Sequence, residues 1–332
     1  MKNRVHYFDI AKGLLILLLL LHHYGSARRR LDISNDYFEL FNQWQVIFTA
    51  FFMQAFFIIS GYCSNFNKAF KPFIISQIKQ LLIPWISFEI LAACISAIQT
   101  KNLSFSYIQS LIFNETWTFY WFLNALFFSK VVIYILNKWV KSHLVIILIT
   151  LLIFFIAIII NEHNWGRNLF CIRQSMGSCL FVAVGLILKN RAKLYDMLLK
   201  HCVYIYPICL IILIITNVKI PIFTAGMQVS LNQVPIFLIT SLTGSFACLK
   251  LCRFLEHNSF LEFWGINSLI VYVTHFWALK PLVNSFFIHF NPINSYTVIP
   301  YYFSIYISEI VFCYFMVKIF TSKYLKWITG SF

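Results

Sequence analysis

Charged residues are scarce: they make up 11% of the 332-residue chain, against about 25% in an ordinary soluble domain. A water-soluble protein of this length needs a charged surface that these residues cannot supply. Long polar segments are missing too, which leaves no room for a separate soluble catalytic domain. No internal repeat and no low-complexity linker breaks the chain. The nine cysteines lie mostly inside apolar runs and form neither a disulfide framework nor a C-x-x-C pair. Cys248 and Cys252 stand four apart, but no histidine cluster accompanies them, so no metal is expected.

Apolar residues are abundant: 60% of the chain is hydrophobic, 37 residues are Phe, and the mean hydropathy is +0.78. A membrane-crossing helix needs roughly 17–25 predominantly apolar residues. Runs of that kind cover 8–27, 45–64, 81–99, 117–137, 144–160, 169–188, 202–218, 231–249, 263–280 and 298–318. They predict an all-α polytopic membrane bundle of about ten transmembrane helices, forming one domain over 1–332 without a fused soluble domain. Pro84, Pro207, Pro235, Pro281 and Pro300 are read as lying near span ends or breaks. Residues 1–27 resemble a signal peptide in outline, with Lys2 and Arg4 before an apolar stretch that ends in Gly25-Ser26-Ala27. Asp9 and Lys12 interrupt the start of that stretch and many further spans follow it, so it is read as a retained first helix.

The net charge is +15. The basic residues sit in short gaps between apolar runs, as expected of cytoplasmic loops facing anionic lipid rather than of a nucleic-acid-binding surface. Ten spans place 16 Lys and Arg residues on one side and 7 on the other. Both termini are then cytoplasmic, in a membrane read as the bacterial cytoplasmic one. The triplet Arg28–Arg30 runs against that count. With Asp32, Asp36 and Glu39 it makes a charged outer loop, read either as a solvated segment or as a contact for an acidic glycan or lipid head group.

Ionisable side chains inside apolar spans cost about 2.5–3.5 kcal/mol each at mid-bilayer, so they tend to mark function. The first span holds Asp9, Lys12, His22 and His23. Lys12 and His23 are 11 residues apart, about 20° beyond three full turns, and so share a helix face roughly 16 Å apart along the axis. Asp9 is placed to pair with Lys12, and His22 is turned about 100° from His23. The plainer reading is that Lys12 snorkels to the interface and the histidines are hydrated at a helix end. In the ninth span Ser268 and His275 are seven apart, too far for a hydrogen-bonded nucleophilic dyad on one helix, but on one face. Glu89, Lys130, Arg173 and Glu309 are further buried candidates, read equally as structural pairs or substrate contacts. Trp117, Trp121 and Asn124 share a face, read as an interface anchor or as a wall for stacking a sugar or acyl group.

These residues fall into a recognisable order. Asp9-Ile-Ala-Lys12-Gly13 followed by an apolar run to His23 resembles the opening helix of the acyltransferase-3 family of membrane acyltransferases. Phe56-Phe57-Ile58-Ile59-Ser60-Gly61-Tyr62 is similar to its F-F-x-x-S-G-Y signature, Leu81-Leu82-Ile83-Pro84-Trp85 to its L-L-I-P-[YW] segment, and Trp121-Phe122-Leu123 to its W-F-L segment. Gly265-Ile-Asn267-Ser268-Leu269-Ile-Val-Tyr272-Val-Thr-His275 resembles its late G-x-N-S-L-x-x-Y-x-x-H motif. The resemblance implies transfer of an acyl group, commonly acetyl, from cytoplasmic acyl-CoA to a carbohydrate such as a polysaccharide or lipid-linked glycan across the membrane.

The family's basic residue and histidine of the first helix correspond to Lys12 and His23. Lysine replaces the more usual arginine, keeping the charge but losing the planar fork. Lys68-Ala-Phe-Lys71 stands where the family has R-x-x-R, again with lysine. On this reading His23 is the general base, or accepts the acyl group itself, and Lys12, Lys68 and Lys71 attract the donor. Asp9, His22, Trp121, Arg173, Asn267, Ser268, Tyr272, His275 and Glu309 are candidates for the pocket. A transporter or exporter of polysaccharide or lipid-linked sugar is the rival reading of a many-span chain with buried charges, and a catalytically dead scaffold subunit is a third.

Overall fold

The computed structural model describes residues 5–29, 44–100, 120–166, 168–216, 218–223, 227–255, 257–290 and 295–330. Among them helices account for nearly all regular structure, and the single β-bridge joins Ile222 to Gln228. In chain order the helices are α1 (His6–Arg29), α2 (Phe52–Cys63), α3 (Phe70–Gln77), α4 (Ile83–Thr100), α5 (Trp121–Trp139), α6 (His143–Glu162), α7 (Ile172–Lys189), α8 (Ala192–Ile215), α9 (Val234–Phe254), α10 (Ser259–Ile266), α11 (Ser268–Phe290) and α12 (Ser295–Phe320).

Among the described residues, seven helical stretches are long and apolar enough to cross a membrane: Trp44–Cys63, Phe70–Ile95, His143–Glu162, Leu169–Lys189, Ala192–Ile215, Leu231–Phe254 and Tyr302–Phe320. Helices α1, α5 and α11 have spanning length but are not among the seven. For two of them polar residues explain it: α1 carries Asp9, Lys12, His22 and His23, and α5 carries Asn124, Lys130 and Lys138; α11 contributes a shorter apolar stretch, Ser268–Ala278. Polar residues that carry the candidate chemistry thus set α1 and α5 apart from the apolar spans.

Helix α7 lies at the centre, with 78% of its apolar window buried, whereas α6 and α8 bury only 28% and 22% and so form the rim. The rim shows Leu144, Leu148 and Leu152 of α6 and Ile205, Ile208, Ile211, Ile212 and Ile215 of α8 to the outside. Such a belt has no aqueous solution and fits lipid tails. Within the centre, helices approach backbone to backbone. A Cβ on Gly61 would stand 2.2 Å from the Val182 carbonyl oxygen, and one on Gly185 would stand 2.1 Å from that of Ile58. Without water to drive burial between spans, small residues that permit this approach give the packing its energy.

The helices depart from the apolar runs in four places. The third run begins at Phe70, not 81, because α3 continues through a π turn (Ile78–Leu82) into α4. Pro84 causes this: its ring cannot tolerate the carbonyl four residues back, and widening one turn relieves the clash. Helix α8 starts ten residues before its apolar run, which makes Pro207 an interior residue rather than a boundary. Pro281 and Pro300 likewise lie inside α11 and α12. The ninth run is two helices, broken at Asn267, whose side-chain amide donates to the Phe263 carbonyl (2.8 Å) and caps α10. Arg28 and Arg29 of the charged outer segment end α1, while residues 30–43, which hold Arg30, Asp32, Asp36 and Glu39, and Trp117 lie outside the described residues.

One end of the bundle gathers most of the lysine-bearing loops. There the Lys189 ammonium donates to the Ser64 carbonyl (2.6 Å), the Tyr134 hydroxyl donates to the Lys68 carbonyl (2.9 Å), and Arg253 pairs with Asp196 (3.0 Å). After α12 the chain returns to this end as a short turn, Lys326–Thr329. It finishes on Gly330, whose φ of +75° suits glycine and whose missing Cβ would meet the Lys79 carbonyl at 2.1 Å. The tail therefore sits directly against the π turn.

Candidate active site

The start of α1, which carries Asp9 and Lys12, is held by α10. A Cβ on Gly13 would stand 1.9 Å from the Leu261 carbonyl oxygen, and one on Gly265 would stand 1.6 Å from that of Asp9. The motif glycines at 13 and 265 are therefore the two sides of one contact. At the same level the Lys12 ammonium donates to the Asp9 carboxylate (2.9 Å), the i, i+3 pair expected from their spacing. Asp9 is buried and Lys12 is partly exposed. Below them His6 meets Glu262 (2.8 Å), tying the start of α1 to α10 again.

Lys12 faces a cavity of about 630 Å³, within the usual range for a small-molecule site. Lys68, Ser64, Asn65, Gln80 and the tail residues Thr329 and Gly330 line its part near the lysine-rich end. Lys12, Cys63 and Lys130 follow, and Leu19, Phe56, Phe122 and Tyr272 are among the residues that close the far part. Ser268, at the first turn of α11, lines it as well. Lys71 is exposed and does not line the cavity.

Beyond the aromatic end lies a pair of histidines. The rings of His23 and His275 have centroids 5.0 Å apart, and Phe276 packs edge-on against His23 at 4.6 Å. His22 packs against Phe52 (5.5 Å) on the other side. His275 is fully buried, and its Nδ1 lies 2.7 Å from the Tyr272 carbonyl and 3.2 Å from that of Val271. Carbonyl oxygens only accept, so Nδ1 carries the proton, and in the neutral ring Nε2 is left as the acceptor. That nitrogen is buried and has no hydrogen-bond partner among the described residues. Tyr272 joins the two regions. Its ring lines the cavity and lies 6.2 Å from His275, while its hydroxyl accepts the Phe122 N–H (3.2 Å), one of the amides that the first turn of α5 leaves without an intrahelical partner.

The sequence candidates therefore divide. Asp9, Lys12, Lys68, Ser268 and Tyr272 are at or beside the cavity; His22, His23 and His275 form the cluster one aromatic ring further on. Glu309 is fully buried on α12, and neither carboxylate oxygen has a hydrogen bond among the described residues. Trp121 is buried against Phe57 and Phe223, outside the cavity lining. Asn267 serves the helix break.

Arg173 is committed to a loop at the end of the bundle opposite the lysines. Its guanidinium donates to the carbonyls of Trp165 (3.1 Å) and Gly166 (2.6 Å) and to the Asn164 side chain (3.4 Å). That loop carries positive φ angles at Asn164, Gly166, Phe170 and Cys171, and the arginine holds it in place. Arg173→Met should lower thermal stability by about 2–3 kcal/mol, the scale of losing charge-assisted hydrogen bonds. Donor affinity should not change; paired melting and binding measurements check this.

The sequence marks Lys130 as a buried candidate but not its partners; only the fold brings it to the cavity that Lys12 and Cys63 also line. The turn residues Thr329 and Gly330, which no motif marks, line the cavity as well.

A sequence profile for acyltransferase-3, described as an acyltransferase domain, matches residues 5–318, nearly the whole chain. No curated protein and no solved structure matches it.

Proposed function

The chain belongs to the acyltransferase-3 family, and on that premise we propose that it moves an acetyl group from acetyl-CoA to a hydroxyl of an exported or cell-surface carbohydrate. Ten crossings, with the lysine-rich end and both termini in the cytoplasm of a bacterial cell, put donor and acceptor on opposite sides of the membrane. The observation that carries this reading is the placement of the cavity. It is lined by lysines near one end of the bundle and finishes one aromatic ring from the paired histidines.

The chemistry asks for a base and a positioned thioester. His23 takes the proton of the acceptor hydroxyl. The oxygen attacks the thioester carbonyl, the carbon–sulfur bond breaks, and the CoA thiolate leaves, to be protonated by the imidazolium. His275 sits beside His23, its tautomer fixed by the backbone carbonyls of its own helix, which leaves the buried Nε2 as an acceptor. Lys12 and Lys68 line the donor's path with positive charge, and Lys71 adds to the field at the mouth. Tyr272 and Ser268 flank the arm on its way to the histidines.

Purified protein in nanodiscs, given acetyl-labelled acetyl-CoA and candidate glycans, tests the reading. Label should appear on a glycan hydroxyl only when both substrates are present. In cells, deletion of the gene should remove O-acetyl groups from a polymer that is still exported. Intracellular accumulation of unmodified polymer would instead make the chain a transporter.

A further inference from the structure

Lys130 lies on α5, one helical turn further into the bundle than Tyr134, whose hydroxyl holds the Lys68 carbonyl. The residue is buried, at 7% exposure, and it lines the cavity. Among the described residues it has no hydrogen bond and no ion pair. Lys12 and Cys63 are within its electrostatic reach. No Asp or Glu is among the described residues that line the cavity, and Asp9, on α1 beside it, is bonded to Lys12. A buried ammonium without a counter-charge is costly, and proteins usually retain one where something anionic arrives to pair with it.

We propose that Lys130, together with Lys12, binds the diphosphate of the acyl-CoA donor, while Lys68 at the mouth meets the phosphate on the ribose. This rests on the donor reading above and assigns the parts of that donor to particular side chains. Length selects the diphosphate. From its last ester oxygen to the sulfur the pantetheine arm has about twelve bonds, which span about 14 Å when extended at the ~3.6 Å per three bonds of an extended chain. Lys12 and His23 are separated by about 16 Å along α1. A diphosphate held at the level of Lys12 and Lys130 therefore brings the thioester to the histidines. With the diphosphate at Lys68, a turn or more nearer the mouth, the thioester would stop short of them.

Binding of labelled acetyl-CoA to the full chain in nanodiscs tests this, with acetyl-3′-dephospho-CoA and S-acetylpantetheine as competitors. Lys130→Met should weaken acetyl-CoA and its 3′-dephospho form alike, by 10- to 100-fold, and leave S-acetylpantetheine unchanged. Lys130→Arg should retain donor affinity within a few-fold. Lys68→Met should instead reduce the preference for acetyl-CoA over the 3′-dephospho form. The ligand-free Lys130→Met protein should melt at or above the wild-type temperature, because it no longer buries an unpaired charge. The assignment is overturned if Lys130→Met binds acetyl-CoA like wild type, if S-acetylpantetheine is weakened equally, or if the ligand-free variant melts lower. Wild type that binds no acetyl-CoA overturns the donor reading and the assignment together; a failure confined to the variants overturns the assignment alone.

Discussion

His23→Ala should lower the rate of acyl transfer by about 10²- to 10⁴-fold, the contribution expected if His23 is the positioned general base, and should leave a protein that inserts into the membrane and melts near the wild-type temperature. His23 is only partly buried, so its loss opens no large void in the core. Its ring contacts include His22, His275 and Phe276. His275 keeps its own anchorage, because its Nδ1 bonds to carbonyls of α11. Donor affinity should also survive, since Lys12, Lys68 and Lys130 stand away from the mutation. The signature is therefore a fall in kcat at nearly constant Kd for acetyl-CoA, measured with labelled donor on reconstituted protein. His22→Ala is the matched control. It removes an imidazole from the adjacent position, facing Phe52 rather than His275, and should cost far less. A His23→Ala protein that still acetylates its glycan at the wild-type rate would remove His23 from the role of base.

The His23–His275 pairing shows what a sequence can and cannot reveal here. Apolar run length exposed the helices, because the bilayer sets a length that the chain must meet. The i, i+3 spacing exposed the Asp9–Lys12 pair, because one helix fixes both positions. Nothing local placed His275 against His23: the two are 252 residues apart, and the family motifs were the sole sign that they belong to one site. Lys130 had no motif to mark it. Its role follows from which segments surround the cavity, and helix packing across the bundle decides that. The break at Asn267 was also hidden. An apolar run reads the same whether one helix or two cover it, and a side-chain bond to the backbone made the difference. Arg173 shows the reverse case: a buried cation is a functional candidate by cost alone, yet the strained loop beside it supplies the acceptors it needs.

Gly265→Ala has the largest expected effect on the fold. The added methyl would lie 1.6 Å from the Asp9 carbonyl oxygen and 2.9 Å from the Gly13 amide nitrogen. Both obstacles are backbone, so no side chain can turn aside, and α1 or α10 must move by more than 1 Å. Overpacking against yielding side chains costs about 1–3 kcal/mol; with backbone on both sides the cost should reach or exceed the top of that range. The movement also reaches the site. Asp9 and Lys12 are on the displaced segment of α1, and His23 follows on the same helix, while His275 is on α11, joined to α10 at Asn267. Separating α1 from α10 therefore disturbs the His23–His275 contact and the approach to the cavity together. The expected outcome is a lower melting temperature with loss of both donor binding and transfer, in contrast to His23→Ala, which loses transfer alone. Gly13→Ala should behave in the same way, since its methyl would meet the Leu261 carbonyl at 1.9 Å from the opposite side. If either alanine variant melts and binds like wild type, α1 and α10 do not pack through these glycines. The spacing between cavity and histidines would then have to be held by the contacts of α1 with α11 and α12, such as the Tyr306 hydroxyl on the Leu17 carbonyl (3.1 Å).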